Sequence, residues 1–296
     1  MDRPHQLAQF LRARRERLKP QDVGLPGEDR RRVPGLRREE VAMLAGISAD
    51  YYMRLEQGRD HRPSEQVLEA LARALTLDDD AADHLIALGR PAPPVRQTCR
   101  AAVEAVDPVL QDLLDAWTTV PALILGPRQG VLASNALARA LTPLSIPGTN
   151  MLRAVFLDPD VRGRYGDIES VCAAAVANFR AGVGGDVEDA DVKALVDELS
   201  RESTHFARLW GQHDVLSAPS GEEPFVHPAV GPMRLRYRTF AIGATNTITL
   251  LVVIAAPDSR ETLARLARMA TELDPLSCQP PDLTSPYRPA RYSPAA

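Results

Sequence analysis

The chain has 296 residues, with 35 basic against 39 acidic side chains and a net charge of -4; it is long enough for two domains with separate cores and too acidic overall for a general coat of nucleic acid. Its three cysteines, Cys99, Cys172 and Cys278, are odd in number and widely spaced, with no CxxC and no histidine at zinc-finger spacing, so no disulfide framework, metal site or cofactor is expected. The longest apolar run, TITLLVVIAA at 247–256, is too short to cross a bilayer and no leader is read at the start, so a cytoplasmic chain without a membrane partner is expected.

Residues 7–18, LAQFLRARRERL, place Leu7, Phe10, Leu11 and Leu18 on one helical face. The prolines and glycines that follow make 19–39 a long loop, in which Arg30, Arg31, Arg32, Arg37 and Arg38 crowd the approach to the next helix. Beside a recognition unit, Arg31, Arg32, Arg37 and Arg38 are expected to clamp phosphates. Residues 36–58, LRREEVAMLAGISADYYMRLEQG, hold two short helical patterns separated by a Gly46-Ile47 corner. Val41, Leu44 and Ala45 form the inner face of the first, and Tyr52 and Leu55 that of the second, which is the layout of a helix-turn-helix. Ser48 sits at the N-cap of the second helix. The outward side of that helix carries Ala49, Asp50, Tyr51 and Arg54, and the arginine can pair with guanine O6 and N7 in a major groove. Phase puts Tyr52 in the core and Tyr51 outside, within reach of a phosphate. Two more helices follow, one opened by Pro63-Ser64 and running through Val67, Leu68, Leu71 and Leu75, the other at 80–88.

Residues 1–73 hold 15 Arg or Lys against 12 Asp or Glu, and residues 93–296 hold 19 against 23, so the basic excess travels with the helix-turn-helix. So small an excess predicts a homodimer that reads the two halves of a palindromic double-stranded operator.

Prolines at 91, 93 and 94 end the helical pattern and make 91–104 a linker between domains at 1–90 and 105–274. In the second domain, strands are predicted at 122–125 and 131–133, helices at 135–141, 168–180, 191–201 and 204–212, strands at 225–227, 233–240 and 247–255, and a last helix at 259–273. Two strands, several helices and three strands is the order of a PAS-like sheet that wraps a pocket. The fold class is therefore α+β: a five-helix all-α domain followed by a PAS-like α/β sensor domain. The Pro-rich tail, 275–296, is expected to be disordered. Large apolar groups at helix or strand spacing belong more often to a core than to a pocket. Phe156, Phe206, Trp210 and Tyr237 are nevertheless pocket candidates, together with Asn150 and His213. Asn150 also opens a segment, where asparagine caps helices. His213-Asp214 and His227-Pro228 come with no nucleophile and no convergent polar constellation, so no catalytic residue is assigned.

The N-terminal pattern of five short helices resembles the lambda-repressor-like, or XRE-type, DNA-binding domain. That resemblance implies that Arg38 contacts phosphate or base, that Ala49, Asp50 and Arg54 read bases, and that Glu56 is buried against an arginine of the first helix. Alignment nominates Arg15 for that role, and periodicity nominates Arg14. The runs NMLRAVFLDPDVRGRY at 150–165, FARLWGQHDV at 206–215 and HPAVG at 227–231 follow RRVPGLRREEVA at 31–42 and YYMRLEQG at 51–58. Together they resemble the MmyB-like regulators over most of residues 5–257. The resemblance implies a bacterial transcription regulator whose PAS-like domain accepts a small apolar effector, fatty-acid-like compounds included. Two other readings stand beside it. An enzyme fused to a DNA-targeting module needs a polar constellation that the sequence does not offer. A helix-turn-helix adaptor, its C-terminal domain bound to a protein partner, needs an exposed apolar face instead of an enclosed pocket.

Overall fold

The structure is a computed structural model that describes residues 3–26, 35–60, 62–90, 106–183, 189–217, 219–242 and 248–273. The 91–104 linker, the 275–296 tail and Arg30, Arg31 and Arg32 of the arginine loop lie outside the described residues. The N-terminal domain consists of α1 (Arg3–Arg17), α2 (Arg38–Ala45), α3 (Ala49–Glu56), α4 (Glu65–Ala74) and α5 (Asp79–Gly89). Leu7, Phe10 and Leu11 recur at helical spacing and are buried against Val41, Tyr52, Leu55, Leu71 and Leu85.

Local chemistry sets the ends of these helices. Gly46 adopts φ +67, which a side chain would disfavour, and there the Gly46 and Ile47 N–H groups donate to the Met43 and Ala42 carbonyls to close α2. Ser48 accepts from the Tyr51 N–H at 3.1 Å to open α3, and Ser64 and Asp78 do the same for α4 and α5. Gly35 is required for a different reason. A Cβ there would lie 2.4 Å from the Glu16 carbonyl oxygen and 2.5 Å from that of Arg15, so only glycine lets the returning chain reach the end of α1 and bury Leu36. Two expectations are corrected. α1 starts at Arg3 and stops before Leu18. Leu44 is 36% exposed, and the core position goes to Ala42, because α2 turns its 41, 42 and 45 positions inward.

The C-terminal domain opens with α6 (Pro108–Ala116), followed by β1 (Ala122–Leu125), β2 (Val131–Ser134) and α7 (Ala136–Leu141). Then come α8 (Met151–Leu157), α9 (Pro159–Arg162), α10 (Ile168–Val183), α11 (Ala190–Glu202) and α12 (Thr204–Gly211). β3 (Ser220–His227), β4 (Gly231–Ile242), β5 (Ile248–Ala255) and α13 (Arg260–Leu273) complete the domain. The sheet is antiparallel throughout with the order β2-β1-β5-β4-β3, the PAS-like arrangement expected. β3 begins at Ser220, five residues before the expected strand, because its inward positions include Glu223 as well as Phe225 and so break the apolar signal. α6, α8 and α9 were not expected as helices; Pro108 at the first position of α6 and the Asn150 cap of α8 start two of them. One face of the sheet packs on α8 and α10 through Leu123, Leu125, Val155 and Phe179. On the other face Leu114 of α6 meets Ala122, Ile124 and Ala133.

The domains meet at the segment after α12. Arg14 donates to Asp214 Oδ1 at 3.2 Å and to the His213 carbonyl at 3.1 Å, and Arg17 reaches the same carboxylate at 2.5 Å. The Ser217 N–H donates to Asp80 Oδ2 at 3.2 Å. Val215 is buried in the core of the N-terminal domain.

Candidate recognition helix and ligand cavity

The outward side of α3 exposes Ala49, Asp50 and Arg54, with Tyr51 half-buried beside them. Arg54 is tethered: its guanidinium bonds the Asp50 carboxylate one turn back and lies 5.6 Å from the centre of the Tyr51 ring. A side chain held in this way loses less rotamer freedom when it docks. The Ser48 hydroxyl is engaged as the cap of α3, and Arg37 caps α2 through its backbone N–H, which donates to Glu40. Behind this face the buried Glu56 accepts from Arg15 Nε at 2.8 Å and Nη2 at 2.7 Å, so the helix 1 partner is Arg15. Arg38 adds two bonds of 3.2 Å to the same carboxylate, so one edge of its guanidinium faces inward. Burial alone would raise the Glu56 carboxyl, but these arginines outweigh it and hold it below the usual carboxylate range.

In the second domain a cavity of about 110 Å³ lies between the sheet and α10. It exists because α10 presents Val171, Ala174, Ala175 and Asn178 along one stripe, and its two alanines leave unfilled the space opposite Leu123, Leu235 and Leu251. The wall is mostly apolar, and its polar groups include Gln129, Asn178, Glu223 and Tyr237. Among the described residues no Arg, Lys or His lines it. Burial raises the Glu223 carboxyl, with Ser170 partly countering through a hydrogen bond. Gly221 faces Tyr237 across the strands, and a Cβ there would lie 2.9 Å from the tyrosine ring. Among the described residues no group of three His, Cys, Asp or Glu could hold a metal ion, and no helix is long and apolar enough to cross a membrane.

Residues 106–269 match the family model of the MmyB-like transcription regulator ligand binding domain, and residues 6–85 match that of a helix-turn-helix domain. The chain belongs to the MmyB-like transcription regulators. A helix-turn-helix joined to a ligand-binding domain makes this MmyB-like protein a ligand-regulated, DNA-binding transcription regulator. No curated protein matches it. A solved structure of an RNA-binding Light-Oxygen-Voltage receptor is similar at 11% identity, over 80% of this chain and 63% of that one, with a TM-score of 0.26. The MmyB-like chain thus spans less than two thirds of that receptor, and a likeness at this score carries no argument about fold or activity.

Of the six side chains expected at the ligand pocket of this MmyB-like regulator, Tyr237 stands in the cavity wall. Asn150 caps α8, accepting from Arg153 N at 3.1 Å, and donates to the Arg128 carbonyl at 2.8 Å. Phe156 and Phe206 pack edge to face in the core, their centroids 5.2 Å apart. Trp210 stacks on Phe206 and carries the Arg180 guanidinium 3.8 Å above its ring. His213 lies in the segment between the domains, where its Nδ1 is 3.2 Å from Arg180 Nη1. Burial and the charges of Arg180, His84 and Arg14 push His213 down to about 3. The ring is therefore neutral, and Nδ1 can accept from Arg180.

Two wall residues that the sequence reading passed over link the cavity to that segment. Gln129 Nε2 donates to Asn178 Oδ1 at 3.2 Å, and Asn178 Nδ2 donates to the Leu216 carbonyl at 3.3 Å. Leu216 directly follows Val215 and Asp214, the two residues by which the segment grips the helix-turn-helix domain.

Proposed function

We propose that this regulator senses a small, neutral, apolar molecule in the α10 cavity and passes its presence to the helix-turn-helix through Asn178 and residues 212–217. The observation that carries this reading is the double engagement of Asn178, whose amide faces the cavity and also holds Leu216. A space of about 110 Å³ is smaller than the roughly 150 Å³ of an engineered cavity that admits benzene. Binding must therefore push wall groups aside, and Asn178 is one that yields. The neutral character follows from the lining, since a fatty acid's carboxylate would meet Glu223 and, among the described residues, no cation. Tyr237 is the sequence-expected pocket residue that would touch such a ligand.

On the DNA side we propose a homodimer on a palindromic operator, working in the cytoplasm. Ala49, Asp50 and Arg54 would face bases, and Arg31, Arg32, Arg37, Arg38, Ser48 and Tyr51 would face phosphates. The test is calorimetry with toluene and benzyl alcohol on the full chain, alongside operator affinity measured with and without each compound. The expected result is uptake of a neutral single ring with a change in operator affinity of about 5-fold or more. Asn178→Leu should keep uptake and lose the change. Uptake that leaves wild-type operator affinity untouched would sink the reading.

A further inference from the structure

Strand β4 alternates across the sheet. Met233, Leu235 and Tyr237 face the core, while Arg234, Arg236, Arg238 and Phe240 face outward, beside Ile254, Val252 and Leu250 of β5. α6 covers the β1–β2 end of that outer face and reaches Leu250 and Val252 of β5; beyond it Phe240 is 49% and Ile254 43% exposed, and Arg236 and Ile254 border a groove against α13. Arg234 is paired with Glu222 and Asp258. Arg236 and Arg238 meet no carboxylate among the described residues, and Arg236 Nε is buried without a partner there.

α6 is apolar on two adjacent stripes. Leu110, Leu114 and Trp117 pack on their own sheet. Val109 and Leu113, one turn apart, are 70% and 42% exposed, and Asp112 beside them has no cationic partner among the described residues. Among the described residues, four of the eight exposed large apolar side chains, Val109, Leu113, Phe240 and Ile254, therefore gather on this side of the second domain, next to unpaired charges of both signs.

We propose that the open half of the sheet seats α6 of a second copy of this chain. Val109 and Leu113 would cover Phe240 and Ile254, and Asp112 would meet Arg236 and Arg238. The face supplies its own complement, acid and apolar pair on the helix, bases and apolar pair on the strands. A two-fold axis makes each contact twice, and that self-complementarity is what an isologous interface requires. Neither of the two segments of the chain nearest this face in sequence is net acidic: 91–105 holds Glu104 against Arg96 and Arg100, and 274–296 holds Asp274 and Asp282 against Arg288 and Arg291. This interface rests on the homodimer reading above and names the surface that makes the dimer.

The experiment is sedimentation equilibrium of the full chain with exposed-site variants, each checked for an unchanged melting temperature. Leu113→Glu and Phe240→Glu should each weaken the dimer by about 30-fold or more. Asp112→Arg and Arg238→Asp should each weaken it about tenfold, and the chain carrying both should recover, because every copy then holds a matched pair in reverse. A misfolded variant would show no such recovery. A wild-type monomer would overturn the homodimer reading and this interface together. A wild-type dimer that ignores Leu113→Glu and Phe240→Glu would overturn this interface alone.

Discussion

Arg15 holds Glu56 with two nitrogens, at 2.7 and 2.8 Å, across 41 residues of sequence and out of contact with solvent. The pair ties α1 to the end of the recognition helix, so the angle of α3 depends on it. Removing one member leaves a buried charge without its partner. Glu56→Ala should therefore cost about 3–5 kcal/mol, whereas Glu65→Ala, which breaks an exposed pair with Arg90, should cost under about 1 kcal/mol. Chemical denaturation of both variants checks this, and equal losses would mean that the carboxylate is not sequestered in solution.

Arg54→Ala should weaken binding to the operator by about 1–3 kcal/mol and leave random duplexes almost unaffected, as expected for a guanine contact. Replacing Arg31 and Arg32 together should weaken binding to both and flatten the salt dependence, since each lost phosphate contact lowers the slope by about one. Fluorescence anisotropy across a salt series separates the two behaviours. A uniform loss for Arg54→Ala would remove it from base readout.

Acid should loosen the seam between the domains. Burial, then the charges of Arg180 and Arg14, push His84 down to about 4, and His213 goes to about 3. Both folded values lie below the unfolded imidazole value near 6.5. The unfolded chain therefore takes up the extra protons, and stability falls as pH drops below about 6.5 until the folded values are reached. Glu56 behaves differently: its pKa is depressed, so its contribution is intact above the usual carboxylate range and fails only beneath it. Between pH 6.5 and 5 the loss belongs to histidines, His227 included. His213→Gln should reduce the slope in that window by up to about 1 kcal/mol per pH unit. An unchanged slope in thermal melts would show that His213 is solvated.

Filling the cavity should uncouple ligand from DNA. Ala175→Leu adds three carbons where α10 now leaves space and should change stability by less than about 1.5 kcal/mol. Toluene uptake should disappear in calorimetry while operator affinity stays measurable. Undiminished uptake would place the ligand elsewhere.

The two domains were legible to different degrees for physical reasons. Tyr52 and Tyr51 separate by helical phase alone, since a small helical core sorts its residues at local spacing. Leu44 was expected in the core in the place that Ala42 takes, because α2 is only eight residues long, too short for hydrophobicity to fix its rotation. Periodicity nominated Arg14 as the partner of Glu56, and its side chain is indeed largely buried, but it pairs with Asp214 of the second domain instead. No pattern within residues 1–90 contains that information. Asn178 did leave a trace. It continues the apolar stripe of Val171, Ala174 and Ala175 at helical spacing, and a polar residue in such a phase signals a partner or a cavity. The expected pocket aromatics were chosen for size, and size is what a core selects too: Phe206 is fully buried between Phe156 and Trp210.

Val215 belongs by sequence to the sensor and by packing to the DNA reader. Sensor and reader modules of this kind invite exchange at the proline-rich junction, yet here a cut at that junction divides a core. A chimera that keeps residues 3–90 and receives a foreign sensor would lose the apolar plug at 215 and would leave Arg14, which burial already disfavours as a cation, without the carboxylate of Asp214. The portable cassette is therefore larger than the folded unit suggests: a donor sensor must bring its own match for Asp214 and Val215, or α1 must be redesigned with it.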